Sequence, residues 1–138
     1  MERRWIYYGI FFNEDTISLI RDYAERLVGI PEGWDLYGDH MTIVFNDGSP
    51  EKQAWAESLN NRIGEKVDLR IEMIGVSDNA IAFGVSGFDT QNKHPHVTVA
   101  VSPGTKPVAS NFITKWGPVC EMSLRGTLLR FDGTRINN

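Results

Sequence analysis

The chain has 138 residues, 41% of them hydrophobic and 23% charged, which is typical of one soluble globular domain. Its net charge of −4 disfavours binding along an extended nucleic-acid tract, which needs a basic surface, but it is compatible with a small phosphate-containing ligand. No apolar run reaches the roughly 18 residues of a membrane span, and the N-terminus lacks a signal-peptide pattern. We therefore expect one cytoplasmic domain over residues 1–138, with the single Cys120 as a small buried side chain.

The first third of the chain predicts a strand, a helix and a loop, followed by a second strand. Residues 3–12 are rich in aromatic and β-branched side chains, which favours a buried strand. Residues 13–29 repeat apolar side chains at helical spacing and end at a glycine, which predicts a helix. Residues 30–39 contain a proline and two glycines, which predicts a loop, although the segment is unusually aromatic. The apolar run at 40–45 predicts the second strand.

The middle of the chain predicts a helix and a hairpin. Ser49 can cap a helix over residues 50–64, which begins with a proline in its first turn. Strand-like runs at 65–77 and 80–87 flank an Asp-Asn pair, the usual chemistry of a tight hairpin turn. The polar segment 88–95 is expected to be a loop.

The last third predicts strands around one short helix. Residues 96–102 are expected to form a strand, 103–106 a turn, 107–116 a short helix, and 119–133 one or two strands. Strands and helices alternating within one short domain predict a sheet protein of the α+β or α/β class.

One pattern occurs twice in the chain. The segments HMTIVF (40–45) and HVTVAV (96–101) align without gaps, so that His40 matches His96 and Thr42 matches Thr98. A glycine turn and a helix opened by a proline follow each copy. Because side chains at i and i+2 share one face of a strand, each histidine and its threonine point the same way. Two such strands facing across a cleft would bring two imidazoles and two hydroxyls to one point.

This set of groups suits chemistry at a phosphodiester. Two histidines can act as acid and base near neutral pH, and threonine hydroxyls can donate to the non-bridging oxygens of a phosphate. A single H-x-T segment is usually structural, but two of only three histidines fall at equivalent positions of a repeat. The pairing therefore favours catalysis without a metal or other cofactor.

The paired H-x-T motifs resemble those of the two-histidine (2H) phosphoesterase superfamily. The resemblance extends over most of the chain and is similar in detail to the cyclic phosphodiesterase domain of tRNA ligases, and also to compact phage-encoded members that destroy cyclic-oligonucleotide defence signals. It implies an α+β, bilobal fold with an internal pseudo-two-fold repeat, in which two antiparallel sheets line a central cleft and helices lie outside. It implies that His40 and His96 are catalytic and that Thr42 and Thr98 bind phosphate.

Other polar residues near the motifs have weaker claims to function. His94 and His96 are two residues apart and could form a metal pair, but Pro95 lies between them and no cysteine or carboxylate set completes a site. We expect His94 to be a surface or cleft-edge residue and no metal to be bound. Asp39 could orient a histidine, but we expect it on the opposite face from His40.

Aromatic side chains cluster before the first motif and are candidates for stacking on a nucleobase. On the first strand, the uniformly apolar face should pack beneath helices, which leaves Tyr7 toward the cleft, with Gly9 allowing close approach of a ligand. Trp34 and Tyr37 lie in a predicted loop and have no assured core position. We expect these three aromatic residues to contact the base.

The sequence thus predicts a metal-independent phosphodiesterase acting on a small nucleotide. The acidic charge and short length favour a cyclic dinucleotide or oligonucleotide signal, with RNA 2′,3′-cyclic phosphate ends as an alternative. A protein that sequesters a cyclic nucleotide without cutting it is a further alternative. The roles of the two histidines and the oligomeric state stay open at this level.

Overall fold

The structure is a computed structural model that describes residues 5–133 and the backbone of 136–137. It contains two α-helices and eight strands in the described ranges: β1 (Tyr7–Phe11), α1 (Glu14–Val28), β2 (Asp35–Leu36), β3 (His40–Phe45), α2 (Pro50–Leu59), β4 (Lys66–Val76), β5 (Ala80–Ser86), β6 (His96–Val101), β7 (Trp116–Phe131) and β8 (Ile136–Asn137). Two 3₁₀ helices complete the set, at Asn60–Arg62 and Pro107–Phe112.

The strands form one antiparallel sheet that curves into a half-barrel. Its order is β2-β6-β5-β4-β7-β1-β3, with β8 beside β7. The long strand β7 pairs with β4 along residues 116–127 and with β1 along residues 127–131. The prediction of two separate sheets is therefore wrong, because β7 is long enough to pair with both β4 and β1 and joins the two halves into one sheet. The α+β class is confirmed.

The two motif strands lie near opposite ends of this strand order, β3 at one end and β6 next to the other end. β3 is the terminal strand and pairs only with β1, whereas β6 lies between β5 and the two-residue β2. Curvature of the sheet brings β3 and β6 close together, although no backbone hydrogen bonds join them. Each motif strand pairs with one antiparallel neighbour, β1 for β3 and β5 for β6, but the extra strand β2 beside β6 has no counterpart at β3, so a full two-fold repeat of the fold is not established.

The helices begin and end where local chemistry directs. The Asn13 side chain accepts a hydrogen bond from Thr16 N at 2.9 Å and caps α1, which ends at Gly29 with φ of 71°. Ser49 caps α2 by accepting from Lys52 N at 3.4 Å. These ends agree with the predicted helices, except that α2 gives way to a 3₁₀ turn after Leu59.

The core lies between the two α-helices and one face of the sheet. Tyr8, Ile10 and Phe12 are buried, which confirms the predicted inner face of β1. Met41 and Val97, the middle residues of the two H-x-T motifs, are also buried there. Apolar burial on this face therefore fixes which way each motif presents its histidine and threonine. Across the described part of the chain, no helix is long and apolar enough to cross a membrane.

Three local predictions differ from the structure. The helix predicted over 107–116 is only a six-residue 3₁₀ helix, and Trp116 begins β7 instead. Cys120 is exposed, because it lies in the first part of β7, residues 116–123, where no residue is buried. The predicted loop 30–39 contains the short strand β2, whose two residues pair with the outer edge of β6.

Candidate active site

The first motif strand is shaped by a β-bulge directly after its threonine. The pairing of β1 with β3 runs from Tyr8↔Val44 to Gly9↔Thr42, so that Ile43 is an extra residue. Ile43 and Val44 are consequently both fully buried. The bulge places Phe45 on the same side of the strand as Thr42, although strict alternation would put it on the opposite face.

The second motif strand carries a bulge at the matching position. Here the pairing runs from Ile81↔Ala100 to Ala82↔Thr98, which makes Val99 the extra residue. Ala100 and Val99 are both fully buried. Each H-x-T segment is thus followed by one residue that breaks the alternation, and bulges of this kind are common beside active sites.

Both motifs face one cleft of about 700 Å³. His40, Thr42, His96 and Thr98 all line it. The structure therefore brings together the four side chains that the repeat predicted, from the two strands that approach each other without pairing. The remaining lining residues come from β1, the end of β3, helix α2, the 3₁₀ helix and the loops beside the motif strands: Tyr7, Tyr37, Asp39, Phe45, Asp47, Lys52, Gln91, Asn92, Lys106, Pro107, Val108 and Asn111.

The His40 ring is held over the aromatic face of β1. Its centroid lies 5.0 Å from that of Tyr7 and 5.1 Å from that of Phe11, with ring planes about parallel. Gly9, between these two aromatic residues, has no side chain, and a Cβ there would stand 3.5 Å from the His40 ring and 2.8 Å from the Met41 carbonyl oxygen. Gly9 therefore makes room for β3 and His40, and not directly for a ligand as predicted.

The two nitrogens of His40 have different neighbours. Nε2 lies 3.2 Å from the hydroxyl of Thr42. Nδ1 lies 3.3 Å from Oδ1 of Asp39, without an aligned hydrogen bond. The expectation that Asp39 lies on the opposite face is wrong, because Asp39 precedes the strand and follows Gly38, whose φ of 97° turns the chain.

The carboxylate of Asp39 affects two groups in the cleft. The His40 side chain holds the pKa of Asp39 below its usual value, more than partial burial raises it. Burial, with a smaller contribution from Asp39, raises the pKa of Tyr7 to about 12. Tyr7 is therefore a phenol that keeps its proton and can act only as a donor or a neutral acceptor near neutral pH.

His96 is more enclosed than His40. It is 8% exposed, and burial lowers its pKa below the ordinary value, an effect only partly offset by a hydrogen bond to the backbone. Its Nδ1 lies 2.8 Å from the carbonyl oxygen of His94. A carbonyl oxygen only accepts, so Nδ1 carries the proton and Nε2 of the neutral ring is left as an acceptor.

The hydroxyl of Thr98 is held by hydrogen bonds to the 3₁₀ helix Pro107–Phe112. Its hydroxyl lies 2.8 Å from the hydroxyl of Ser110 and 3.4 Å from the carbonyl oxygen of Pro107. Both partners belong to the 3₁₀ helix Pro107–Phe112, which packs against β6.

The predicted base-binding aromatic residues have different positions. Tyr7 lines the cleft, but its ring contacts the rings of His40 and three phenylalanines, so much of its surface supports His40. Tyr37 lines the cleft and packs against a small apolar cluster apart from the main core, formed by Ala80, Ala82, Val101 and Ile113. Trp34 packs against the main core and is not among the cleft-lining residues, contrary to the argument that its loop lacks a core.

His94 is exposed, and its ring lies 6.1 Å from that of Trp116. Its backbone carbonyl, not its side chain, contacts the site. In the ranges that the structure describes, no cluster of three or more histidine, cysteine, aspartate or glutamate side chains is arranged to hold a metal ion.

Sequence reasoning missed several cleft residues. Phe45 is 46% exposed and offers an open aromatic surface, which the bulge after Thr42 turns toward the cleft. Lys106 belongs to a segment predicted as a turn, and Ser110, which contacts Thr98 but does not line the cleft, belongs to the segment predicted as an ordinary helix. Only the contact between this segment and β6 could reveal their place in the site, since no motif marks them.

Two histidines and two threonines around one cleft indicate a phosphodiesterase, and the comparisons with known proteins agree with this class of enzyme. Residues 17–126 match the family described as the fungal tRNA ligase phosphodiesterase domain. The chain therefore belongs to this family, and the resemblance to two-histidine phosphoesterases is confirmed.

The fold is also found in a solved structure. A protein described as a fungal RNA kinase superimposes with a TM-score of 0.66 and 12% identity, over 95% of this chain and 46% of that one. This likeness shows the fold, and this chain spans less than half the length of that protein. A search of curated proteins gives no match.

Proposed function

We propose that this chain is a metal-independent phosphodiesterase that hydrolyses 2′,3′-cyclic phosphate at RNA ends. The single observation that carries the proposal is the convergence of both H-x-T motifs on one cleft. Membership of a tRNA ligase phosphodiesterase family favours an RNA end as substrate over the cyclic-oligonucleotide signal that the sequence alone favoured. A terminal phosphate also needs no extended basic surface, consistent with the net charge of −4.

His96 is suited to the role of general base. Its pKa is lowered by burial, so the ring is neutral near pH 7, and its Nδ1–H is committed to the His94 carbonyl. Nε2 is then free to take a proton from a water molecule placed in the cleft. The water oxygen forms the new bond to phosphorus.

His40 is suited to the role of general acid. The carboxylate of Asp39 lies 3.3 Å from Nδ1, which leaves Nε2 as the ring nitrogen available to a substrate. His40 would then give the proton on Nε2 to the ribose oxygen as the bond from that oxygen to phosphorus breaks. One water molecule is consumed, and the products are a phosphomonoester and a free ribose hydroxyl.

Thr42 and Thr98 would hold the non-bridging oxygens. Both threonines line the cleft that the two histidines also line. Donors preorganised around a phosphate stabilise the charge that its equatorial oxygens carry in the transition state. The open face of Phe45 is placed to stack on the terminal base.

A substrate panel tests this proposal. The protein is incubated with a 2′,3′-cyclic mononucleotide, an RNA oligonucleotide ending in 2′,3′-cyclic phosphate, and 3′,5′-linked cyclic di- and trinucleotides, and the products are separated by chromatography. We expect opening of the 2′,3′-cyclic phosphates. Cleavage of only the 3′,5′-linked cyclic compounds would instead support signal destruction, and tight binding without cleavage would indicate sequestration.

Variants of the histidines complete the test. His40→Ala and His96→Ala should each lower kcat by about 10²- to 10⁴-fold, the usual contribution of one acid or base. His94→Ala is the matched control, because it removes an exposed imidazole and keeps the carbonyl that His96 contacts. If His40→Ala and His96→Ala stay as active as the parent protein, the proposed chemistry is wrong.

A further inference from the structure

Ser110 is an unusual residue in this protein because it is polar and almost fully enclosed. Among the residues whose burial is described, His96 and Ser110 are the only buried polar or charged side chains, and Ser110 is 1% exposed. Ser110 does not line the cleft, but its hydroxyl touches that of Thr98, which does. Buried polar groups are normally hydrogen-bonded, so the Ser110 hydroxyl is committed to this neighbour.

The protons on these two hydroxyls can be accounted for. A hydroxyl has one proton to donate and two lone pairs to accept with. Without a ligand, Thr98 is placed to donate to Ser110 Oγ at 2.8 Å or to the Pro107 carbonyl at 3.4 Å. Either choice commits the Thr98 proton to the 3₁₀ helix, so that it is not available to a ligand.

A bound phosphate oxygen changes this account. If Thr98 donates into the cleft, its contact with Ser110 survives only when Ser110 becomes the donor. The Ser110 proton then points at Thr98 Oγ1, and the Thr98 proton points at the phosphate. The contact partner of Thr42, by contrast, is the ring of His40, so the two threonines are held in different ways.

We propose that Ser110 is a positioning residue that directs the Thr98 hydroxyl into the cleft by donating its own proton to Thr98 when phosphate is bound. This inference rests on the proposed function of the cleft. It assigns the 3₁₀ helix Pro107–Phe112 a part in phosphate recognition, through its one buried hydroxyl. Ser110 itself touches no substrate.

A double-mutant cycle tests the proposal. Ser110→Ala and Thr98→Val are made singly and together, and kcat/KM is measured on the 2′,3′-cyclic substrate. We expect Ser110→Ala to lower kcat/KM by about 5- to 20-fold in the parent, as for loss of one hydrogen bond, and to have no effect once Thr98 is valine. Multiplicative losses in the double variant, or parent activity in Ser110→Ala, would overturn it.

Two controls separate positioning from general packing. Ser102→Ala removes a hydroxyl from the Ser102–Thr105 pair, 2.7 Å apart and outside the cleft-lining residues, and should leave kcat/KM unchanged. Ser110→Cys has similar size and a weak S–H donor, so it should lie between parent and Ser110→Ala in activity. If Ser110→Ala does not fold, the comparison of Ser110→Cys with parent takes its place in the cycle.

A second measurement distinguishes failure of this inference from failure of the proposed function. Inorganic phosphate is titrated into the parent and the cycle variants, and its dissociation constant is measured by NMR shifts. Coupling between Ser110 and Thr98 in phosphate binding, together with a parent protein inactive on every substrate, would refute the proposed function and keep the positioning role. The positioning role alone would be refuted if the parent is active but Ser110 and Thr98 are coupled neither in kcat/KM nor in phosphate binding. It would also be refuted if the parent is active, kcat/KM shows no coupling and phosphate does not bind.

Discussion

Replacing Gly9 with alanine perturbs the site without changing the side chain of any catalytic residue. The added Cβ would stand 2.8 Å from the Met41 carbonyl oxygen, 3.4 Å from Phe11 and 3.5 Å from the His40 ring. The distance from this Cβ to the Met41 carbonyl oxygen is about 0.6 Å shorter than an ordinary van der Waals contact, and that oxygen belongs to the backbone. Because Met41 lies between His40 and Thr42, any shift of β3 that relieves the clash moves both of them.

The expected size of the effect follows from two opposing terms. Overpacking of this kind destabilises by about 1–3 kcal/mol, while alanine in place of glycine restricts the unfolded chain and stabilises by about 0.4–1 kcal/mol. We expect a net loss of about 1–2 kcal/mol in the free energy of unfolding. A displacement of 1 Å at an active site can lower the rate by about 10²-fold, so a shift of about half that size should lower kcat by about tenfold.

Gly117→Ala is the matched control. Gly117 also lies in a strand without a positive φ, but a Cβ there meets nothing within 4 Å. It shares the stabilising effect on the unfolded chain and lacks the clash. Urea unfolding followed by tryptophan fluorescence gives the stabilities, and hydrolysis of a 2′,3′-cyclic nucleotide gives the rates. If Gly9→Ala matches Gly117→Ala in both, the argument that Gly9 makes room for β3 and His40 is refuted.

Three further outcomes are expected. Because the pKa of His96 is lower in the folded protein, the unfolded chain binds more protons at pH values between the folded and unfolded pKa. The contribution of His96 to stability is therefore present above the unfolded pKa of about 6.5 and is lost as the pH falls through the folded pKa. His96→Gln should flatten the acid side of the curve of stability against pH, measured by urea unfolding. Activity against pH should be bell-shaped and unchanged by EDTA, and complete loss of activity in EDTA would rule out the metal-free mechanism. Phe45→Ala should raise KM about 5- to 100-fold, because the base loses its stacking surface. Phe112→Ala removes a ring that is 77% exposed and outside the cleft lining, so it should leave KM unchanged. Equal KM values for the two variants would exclude stacking on Phe45.

Local sequence chemistry was sufficient wherever neighbours along the chain decide the structure. The caps at Asn13 and Ser49 and the stop at Gly29 act over a few residues, so the helices they bound were predictable. The long apolar run after residue 119 predicted strand, but its division into one or two strands depends on partners far along the chain. Both β4 and β1 pair with β7, and this keeps it continuous.

The candidate site divides in the same way. The repeated H-x-T pattern, with alternation along a strand, was enough to place each histidine on the same face as its threonine, whereas the curvature of the sheet brings the two pairs to one cleft. Asp39 escaped that rule because it lies before the strand, where alternation does not apply. Trp34 was misplaced because a loop can pack its aromatic side chain on a core that sequence spacing does not locate.

The sequence by itself therefore determined the chemical groups of this protein and the direction in which each motif presents them, because period-two alternation is a local property of the backbone. Tertiary structure decided what surrounds those groups. The bulge in β3 turns Phe45 into the cleft, the packing of a 3₁₀ helix brings Ser110 to Thr98, and the missing side chain of Gly9 makes room for His40. These contacts join segments distant in sequence, and they depend on the curvature of one sheet, which no local pattern encodes.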